Sequence, residues 1–263
     1  MKLLEKIRCA VDSASVIHNR HISKPNEDRL IVDNERGIYI VLDGITRPHN
    51  EYRRHPNESM AGEVGDIFLS ECYAYIKEHL DSGNPEEILR AATKSASEKL
   101  DEYRTKKSNV KWDFFPATIG IIALLSGSTL HYLCVGDSMG VLVRGNSKIL
   151  FGKEFALEAV DMLSLSKKER YDHYCNHPEN PLSYSVFNGD DFVAETAEYS
   201  FLDIHEGDTV FIATDGICNY LKFEKCADIV KQSADEIIAS SSTYDAPPYA
   251  RYADDKTLIK LSF

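Results

Sequence analysis

An α+β sandwich, in which two antiparallel sheets pack face to face with helices outside them, is the fold class that this sequence predicts. Three observations lead there. Short runs of β-branched and aliphatic residues bounded by turn residues occupy both ends and the middle of the chain. Segments with helical periodicity are grouped, two after the first strands and two before the last strand, so strands and helices form separate layers and not alternating βαβ units. The second and third strands are joined by four residues, Asn34-Glu35-Arg36-Gly37, which makes them an antiparallel hairpin.

The elements follow in order. Residues 7–14, 29–33 and 37–42 alternate or run apolar and read as strands. From 59 to about 79, Ala61, Val64, Phe68, Cys72 and Ile76 recur at the spacing of one helix face. Asn84-Pro85-Glu86-Glu87 opens the next helix with a capping side chain, a proline whose φ suits the first turn, and a Glu three places after the cap. Ile88, Leu89, Ala92, Ala96 and Leu100 continue its apolar face. Residues 117–125, 129–135 and 140–143 form a meander, with turns at Ser126-Gly127-Ser128 and Gly136-Asp137-Ser138-Met139. The polar stretch 153–178 holds a helix at 154–163 and is read as a mobile segment over the domain. Strands at 182–187, 192–199 and 209–214, helices at 223–232 and 234–240, and a strand at 256–261 complete the pattern, with the two sheets stacked.

Composition narrows the function. The 263 residues contain no Pro-, Gly- or Ser-rich linker and are read as one domain, 1–263. A formal charge of −12 argues against nucleic acid or an anionic membrane as partner, since both require a basic surface. No apolar run approaches the roughly 20 residues that cross a bilayer. Met1-Lys2-Leu3-Leu4-Glu5-Lys6 lacks the apolar core of a signal peptide, so the expected location is the cytoplasm. Six irregularly spaced cysteines without a Cys-x-x-Cys pair read as reduced core residues, and the expected state is a monomer.

Five short pieces carry the chemistry: Asn26-Glu27-Asp28, Asp43-Gly44, Val135-Gly136-Asp137-Ser138, Thr214-Asp215-Gly216 and Asp254-Asp255-x-Thr257. Each sets a carboxylate at a predicted strand end. If the strands share one core, these acids converge, and converging carboxylates raise one another's pKa unless a cation lies between them. Oxygen ligands of this kind select Mg²⁺ or Mn²⁺ over softer metals. Other phosphate chemistries fail on the letters. No cysteine is followed six places later by arginine, Val41 occupies the position of a phosphoaspartate nucleophile, and no Gly-x-x-x-x-Gly-Lys loop is present.

The five motifs, in this order, resemble those of the metal-dependent protein phosphatases of type 2C, the PPM family of serine/threonine phosphatases, over about 7–261. The resemblance implies a four-layer α-β-β-α sandwich, two central antiparallel sheets flanked by helix pairs. It implies hydrolysis of phosphoserine and phosphothreonine in a phosphorylated protein substrate, by water activated between two Mn²⁺ or Mg²⁺ ions roughly 3.5–4 Å apart, without a covalent phosphoenzyme. In that scheme Asp43 bridges both ions. The Gly44 carbonyl and waters held by Glu27 complete one ion, and Asp215 with Asp254 holds the other. Asp137 helps Asp215 to hold a weaker third ion, Asp28 supports the ligands from behind, and Asp255 is a hydrogen-bonding neighbour.

Departures from the family pattern are equally specific. Many members carry an arginine where this chain has Ser23, and Lys24 is assigned the substrate phosphate in its place, ahead of Arg20 and His21. Ile45 stands where animal members often have a histidine proposed as general acid, and Asn219 where some have another aspartate. Two further readings stand beside the enzyme: a pseudophosphatase that binds without catalysis, and a hydrolase of small phosphomonoesters. Retention of Glu27, Asp43, Asp215 and Asp254 favours the enzyme, because a binding module has no physical reason to keep mutually repelling acids together. Substrate choice is expected to lie in segments 46–57 and 153–178.

Overall fold

The structure is a computed structural model, and it describes residues 9–17, 25–45, 60–107, 116–152, 163–177, 179–245 and 254–263. Among these residues the strands are β1 (Ala10–Val16), β2 (Arg29–Asp33), β3 (Ile38–Gly44), β4 (Thr118–Ser126), β5 (Thr129–Val135), β6 (Met139–Arg144), β7 (Ser147–Phe151), β8 (Glu198–Asp203), β9 (Thr209–Ala213) and β10 (Lys256–Ser262). The helices are α1 (Met60–His79), α2 (Pro85–Lys106), α3 (Lys167–Tyr174), α4 (Val193–Thr196), α5 (Asp215–Phe223), α6 (Cys226–Ile229) and α7 (Ala234–Ser241). The strands form two five-stranded antiparallel sheets, β1-β10-β9-β6-β7 and β2-β3-β4-β5-β8.

Strand β3 explains the layering. Its odd members Tyr39 and Val41 pack with Ile121, Ile212 and Ile259 between the sheets. Its even members Ile38, Ile40 and Leu42 pack outward with Phe68 of α1 and Leu89 of α2. A strand covered on both faces reads as an unbroken apolar run, as this one does. The other sheet buries its outer face, through Val141, Phe211 and Leu258, against Ile217 of α5 and Ile237 of α7. The result is the expected α-β-β-α order. Asn84 caps α2 by accepting the Glu87 N–H at 2.9 Å, as the sequence predicts. Among the described residues no helix is long and apolar enough to cross a membrane, and the six cysteines form no disulfide with one another.

Several elements differ from the sequence reading. Strand β1 continues to Val16, two residues past its expected end, while positions 7 and 8 lie outside the described residues. Strand β7 is absent from the sequence reading: it is a short edge strand with Ile149 and Leu150 exposed and Phe151 buried at its end, so no alternation of buried and exposed residues marks it. The expected strand at 182–187 is reduced to isolated bridges, Tyr184 to Cys175 and Phe187 to Thr118. The expected strand at 192–199 is instead α4 followed by β8, because Val193 and Ala197 sit four residues apart and share one side of a helical turn against the α1/α2 core. The helix expected at 223–232 is reduced to the short α6, and α5, which follows β9 after Thr214 and ends at Phe223, has no counterpart in the sequence reading. Segment 46–57 and all but the last residue of the helix expected at 154–163 lie outside the described residues.

Candidate metal centre

Strand register places the acidic motifs on one edge of the sandwich. In the β3 sheet, Asp43 lies opposite Ile119 and Gly44 opposite Thr118, at the start of β4. Gly120 pairs with Val135, so the turn carrying Asp137 leaves β5 at that edge. Arg29 pairs with Leu42, and the Glu27-Asp28 segment therefore enters β2 there as well. In the β9 sheet, Ala213 pairs with both Met139 and Leu258. Asp215, just after β9, and Asp254, just before β10, thus share an edge. The turn from β5 to β6 passes from one sheet to the other, which brings the two edges together.

Glycine permits the close approach that the site needs. A Cβ on Gly44 would stand 2.7 Å from Glu27 Cβ and 2.9 Å from the Glu27 carbonyl, and one on Gly216 would collide with the carbonyl of Asp255. In both Asp-Gly pairs, therefore, the missing side chain lets one acid-bearing segment lie directly against another.

Hydroxyls and amides then fix the carboxylates. Thr214 Oγ1 donates to Asp28 Oδ2 at 3.0 Å and accepts the Thr257 N–H at 3.0 Å. Thr257 Oγ1 and Ser15 Oγ are 2.7 Å apart, and Ser15 accepts from Asn26 Nδ2 at 2.9 Å. The Glu27 N–H donates to Asp255 Oδ2 at 3.0 Å, and Thr118 Oγ1 donates to the Asp43 carbonyl at 2.7 Å. Glu27 is 1% exposed and Asp28 4%.

The carboxyl groups act on one another as expected of convergent acids. Burial raises Asp28 to about 7, helped by Asp255 and Asp254 and opposed by hydrogen bonds from Thr257 and Thr214. Asp43 is pushed well above the carboxylate range by burial and then by Asp28, Asp215, Asp254 and Asp137. Asp215 is raised by burial, Asp137, Asp254 and Asp28, and a hydrogen bond with Asp43 opposes this rise.

The donor chemistry fits a hard divalent ion. The converging side chains offer carboxylate oxygen, and two buried atoms, Asp28 Oδ1 and Asp215 Oδ1, have no hydrogen-bond partner. The fit is one of chemistry and not of finished geometry: among the described residues no three His, Cys, Asp or Glu side chains already form an ion cage.

No family model matches the chain, and no curated protein matches it in sequence. Solved structures do match. A serine/threonine phosphatase of S. agalactiae superposes with a TM-score of 0.66 at 17% identity, covering 97% of this chain and 99% of that one. The serine/threonine phosphatase Stp1 of Staphylococcus aureus gives 0.65 at 15% identity, with 98% and 96% covered. This chain has the fold of the PPM-type serine/threonine phosphatases. The catalytic domain of the phosphatase PstP, solved in complex with two manganese ions, gives 0.64 at 14% identity and 97% coverage of both chains.

Within this PPM fold, Asp28, Asp43, Asp137, Asp215 and Asp254 are close enough for their charges to interact, and Glu27 lies against Gly44. Lys24 lies outside the described residues. Sequence reasoning does not single out Thr214, Thr257 or Ser15, which fix the carboxylates. The two threonines stand inside the quoted motifs, and a hydroxyl one or two places from a clustered acid is the available signal. Nothing local marks Ser15.

Proposed function

We propose that this chain hydrolyses phosphoserine and phosphothreonine in proteins with Mn²⁺ or Mg²⁺ bound at the acidic edge. The observation that carries the reading is the convergence of Asp28, Asp43, Asp137, Asp215 and Asp254 on one edge of a PPM fold. Asp43, the Gly44 carbonyl and Glu27, acting through water, would hold one ion, and Asp43, Asp215 and Asp254 the other. Asp137 with Asp215 would hold a weaker third. Bound there, such ions supply an acidic water at neutral pH and polarise phosphoryl oxygens.

The chain's own residues orient and position. Thr214 and Thr257 fix Asp28, the Asp255 carboxylate anchors the Glu27 main chain, and Thr118 holds the Asp43 carbonyl. Lys24 is assigned the substrate phosphate, as a point charge without the planar fork of arginine. Ile45 packs against the α1/α2 core and carries no proton to give, so the proton for the leaving oxygen comes from another source, either water or the His- and Arg-rich segment 46–55. The proposed working form is a single domain, 1–263, acting as a cytoplasmic monomer on phosphorylated proteins and not on nucleic acid or membranes.

Phosphate release from a phosphothreonine peptide with Mn²⁺ tests the proposal. Activity should disappear with EDTA and in Asp215→Asn. A wild-type chain that binds Mn²⁺ in a calorimeter yet releases no phosphate would overturn it, and would leave a phosphoprotein-binding module.

A further inference from the structure

Arg29 follows Glu27 and Asp28 directly and is the first residue of β2. Its Nε donates to Asp66 Oδ1 at 2.5 Å and its Nη2 to Asp66 Oδ2 at 3.0 Å, a bidentate pair with α1. Its Nη1 donates to the main-chain carbonyls of Asn26 at 2.8 Å and Asp28 at 2.9 Å. One guanidinium therefore ties both ends of the Asn26-Glu27-Asp28 segment to a helix. Gly65 makes room for it, since a Cβ there would stand 3.2 Å from Arg29 Cγ. A glycine inside a helix costs about 1 kcal/mol relative to alanine, and at this position the absent side chain admits the arginine stem.

Stability alone does not account for the arrangement. Asp66 is 60% exposed, and ion pairs at such sites contribute about 0–1 kcal/mol. The two carbonyl bonds instead set the direction of the chain between them, which turns Glu27 against Gly44 and Asp28 onto Thr214. Four of the five guanidinium N–H groups are engaged in this way. Arg29 is thereby committed to the protein and is a poor candidate for the phosphate clamp missing at Ser23.

We propose that Arg29, braced by Asp66, is a positioning residue for the metal centre: it holds the Asn26-Glu27-Asp28 segment where Glu27 and Asp28 serve the divalent ions. The inference rests on the proposed function and adds to it a residue outside the acidic motifs.

Mn²⁺ titration by calorimetry of the full chain tests it, with circular dichroism to verify folding. Arg29→Ala should weaken Mn²⁺ binding by about 10- to 100-fold, the range for outer partners of metal ligands. Arg29→Lys, which cannot reach both carbonyls and Asp66 together, and Asp66→Asn should each lose less. Arg36→Ala removes an exposed pair with Asp33 at the other end of β2 and should leave the affinity unchanged. In phosphatase assays, run where circular dichroism shows Arg29→Ala fully folded before metal is added, excess Mn²⁺ should restore kcat, a recovery that cannot then be the refolding of a destabilised chain. Unchanged affinity in a folded Arg29→Ala overturns the inference while leaving the proposed function standing. Should Arg29→Ala fail to fold, unchanged affinity in both Arg29→Lys and Asp66→Asn overturns it equally. A wild-type chain that binds no Mn²⁺ overturns both.

Discussion

Thr214 Oγ1 donates to Asp28 Oδ2 at 3.0 Å, and this bond joins the end of β9 in one sheet to the segment entering β2 in the other. The hydroxyl is fully buried and also accepts the Thr257 N–H. Its removal leaves a buried donor and a buried carboxyl oxygen each one bond short. Thr214→Val is therefore expected to destabilise the chain by about 1–3 kcal/mol, and Thr214→Ser by clearly less. Urea unfolding of both variants decides the matter, since a loss in Thr214→Ser as large as that in Thr214→Val would show that the methyl matters as much as the hydroxyl.

Gly44→Ala should be costlier than its size suggests. The added methyl would meet both Cβ and the carbonyl of Glu27, neither of which is the free end of a flexible chain. Overpacking of this kind costs about 1–3 kcal/mol. Gly136 has φ +81°, and a methyl added there would stand 2.5 Å from Ile119 Cβ, so it should respond at least as strongly to alanine. Thermal unfolding of the two variants beside Gly145→Ala, where open space surrounds the new methyl but φ is also positive, separates crowding from backbone strain.

Without divalent ions, stability should fall as pH rises from about 4 to about 7. Asp28 has its folded pKa at about 7 against 3.8 unfolded, and Asp43 and Asp215 are also raised, first by burial and then by the charges of neighbouring carboxylates, Asp28 and Asp254 among them. Between those values the folded chain keeps protons that the unfolded chain has released. Its stabilisation is complete below the unfolded pKa and is lost as pH passes the folded one. Denaturation in EDTA across this range, repeated with Mn²⁺, checks the sign. Mn²⁺ should flatten or reverse the slope, because binding to the folded state alone stabilises it.

Asp208 should give the opposite limb. Burial by itself would raise its pKa, but hydrogen bonds from Arg144, at 2.9 and 2.6 Å, and from the His205 N–H, at 2.8 Å, bring it below the usual value. The contribution is present above an unfolded pKa of about 3.9 and is lost as pH falls through the folded pKa. Asp208→Asn should lower stability at neutral pH and reduce its decline on acidification. An unaltered acid slope would show that Asp208 is not the group responsible.

How much could be read in advance depended on the range of each interaction. The helix at Asn84-Pro85 was legible because cap, proline and first-turn Glu act within one turn. The segment 192–199 misled because its apolar residues suit a strand or a helical turn equally, and only packing against α2 separates the two. Strand β7 carries no such signal, because a five-residue edge strand that buries Phe151 and exposes Ile149 and Leu150 shows no period of two.

The acidic motifs and the order of strands and helices belong to the linear chain, because turn chemistry, periodicity and the Asp-Gly pairs act between near neighbours. Their meeting does not. Thr214 and Asp28 are 186 residues apart, and Glu27 and Asp255 are 228. The sheet in which each strand pairs, the edge the acids share, and the small residues that let segments touch follow from long-range register. No local preference encodes that register. It arises when two sheets bury their inner faces against each other, and burial then sets the hydroxyl bonds and raised pKa values that make these carboxyl groups a site.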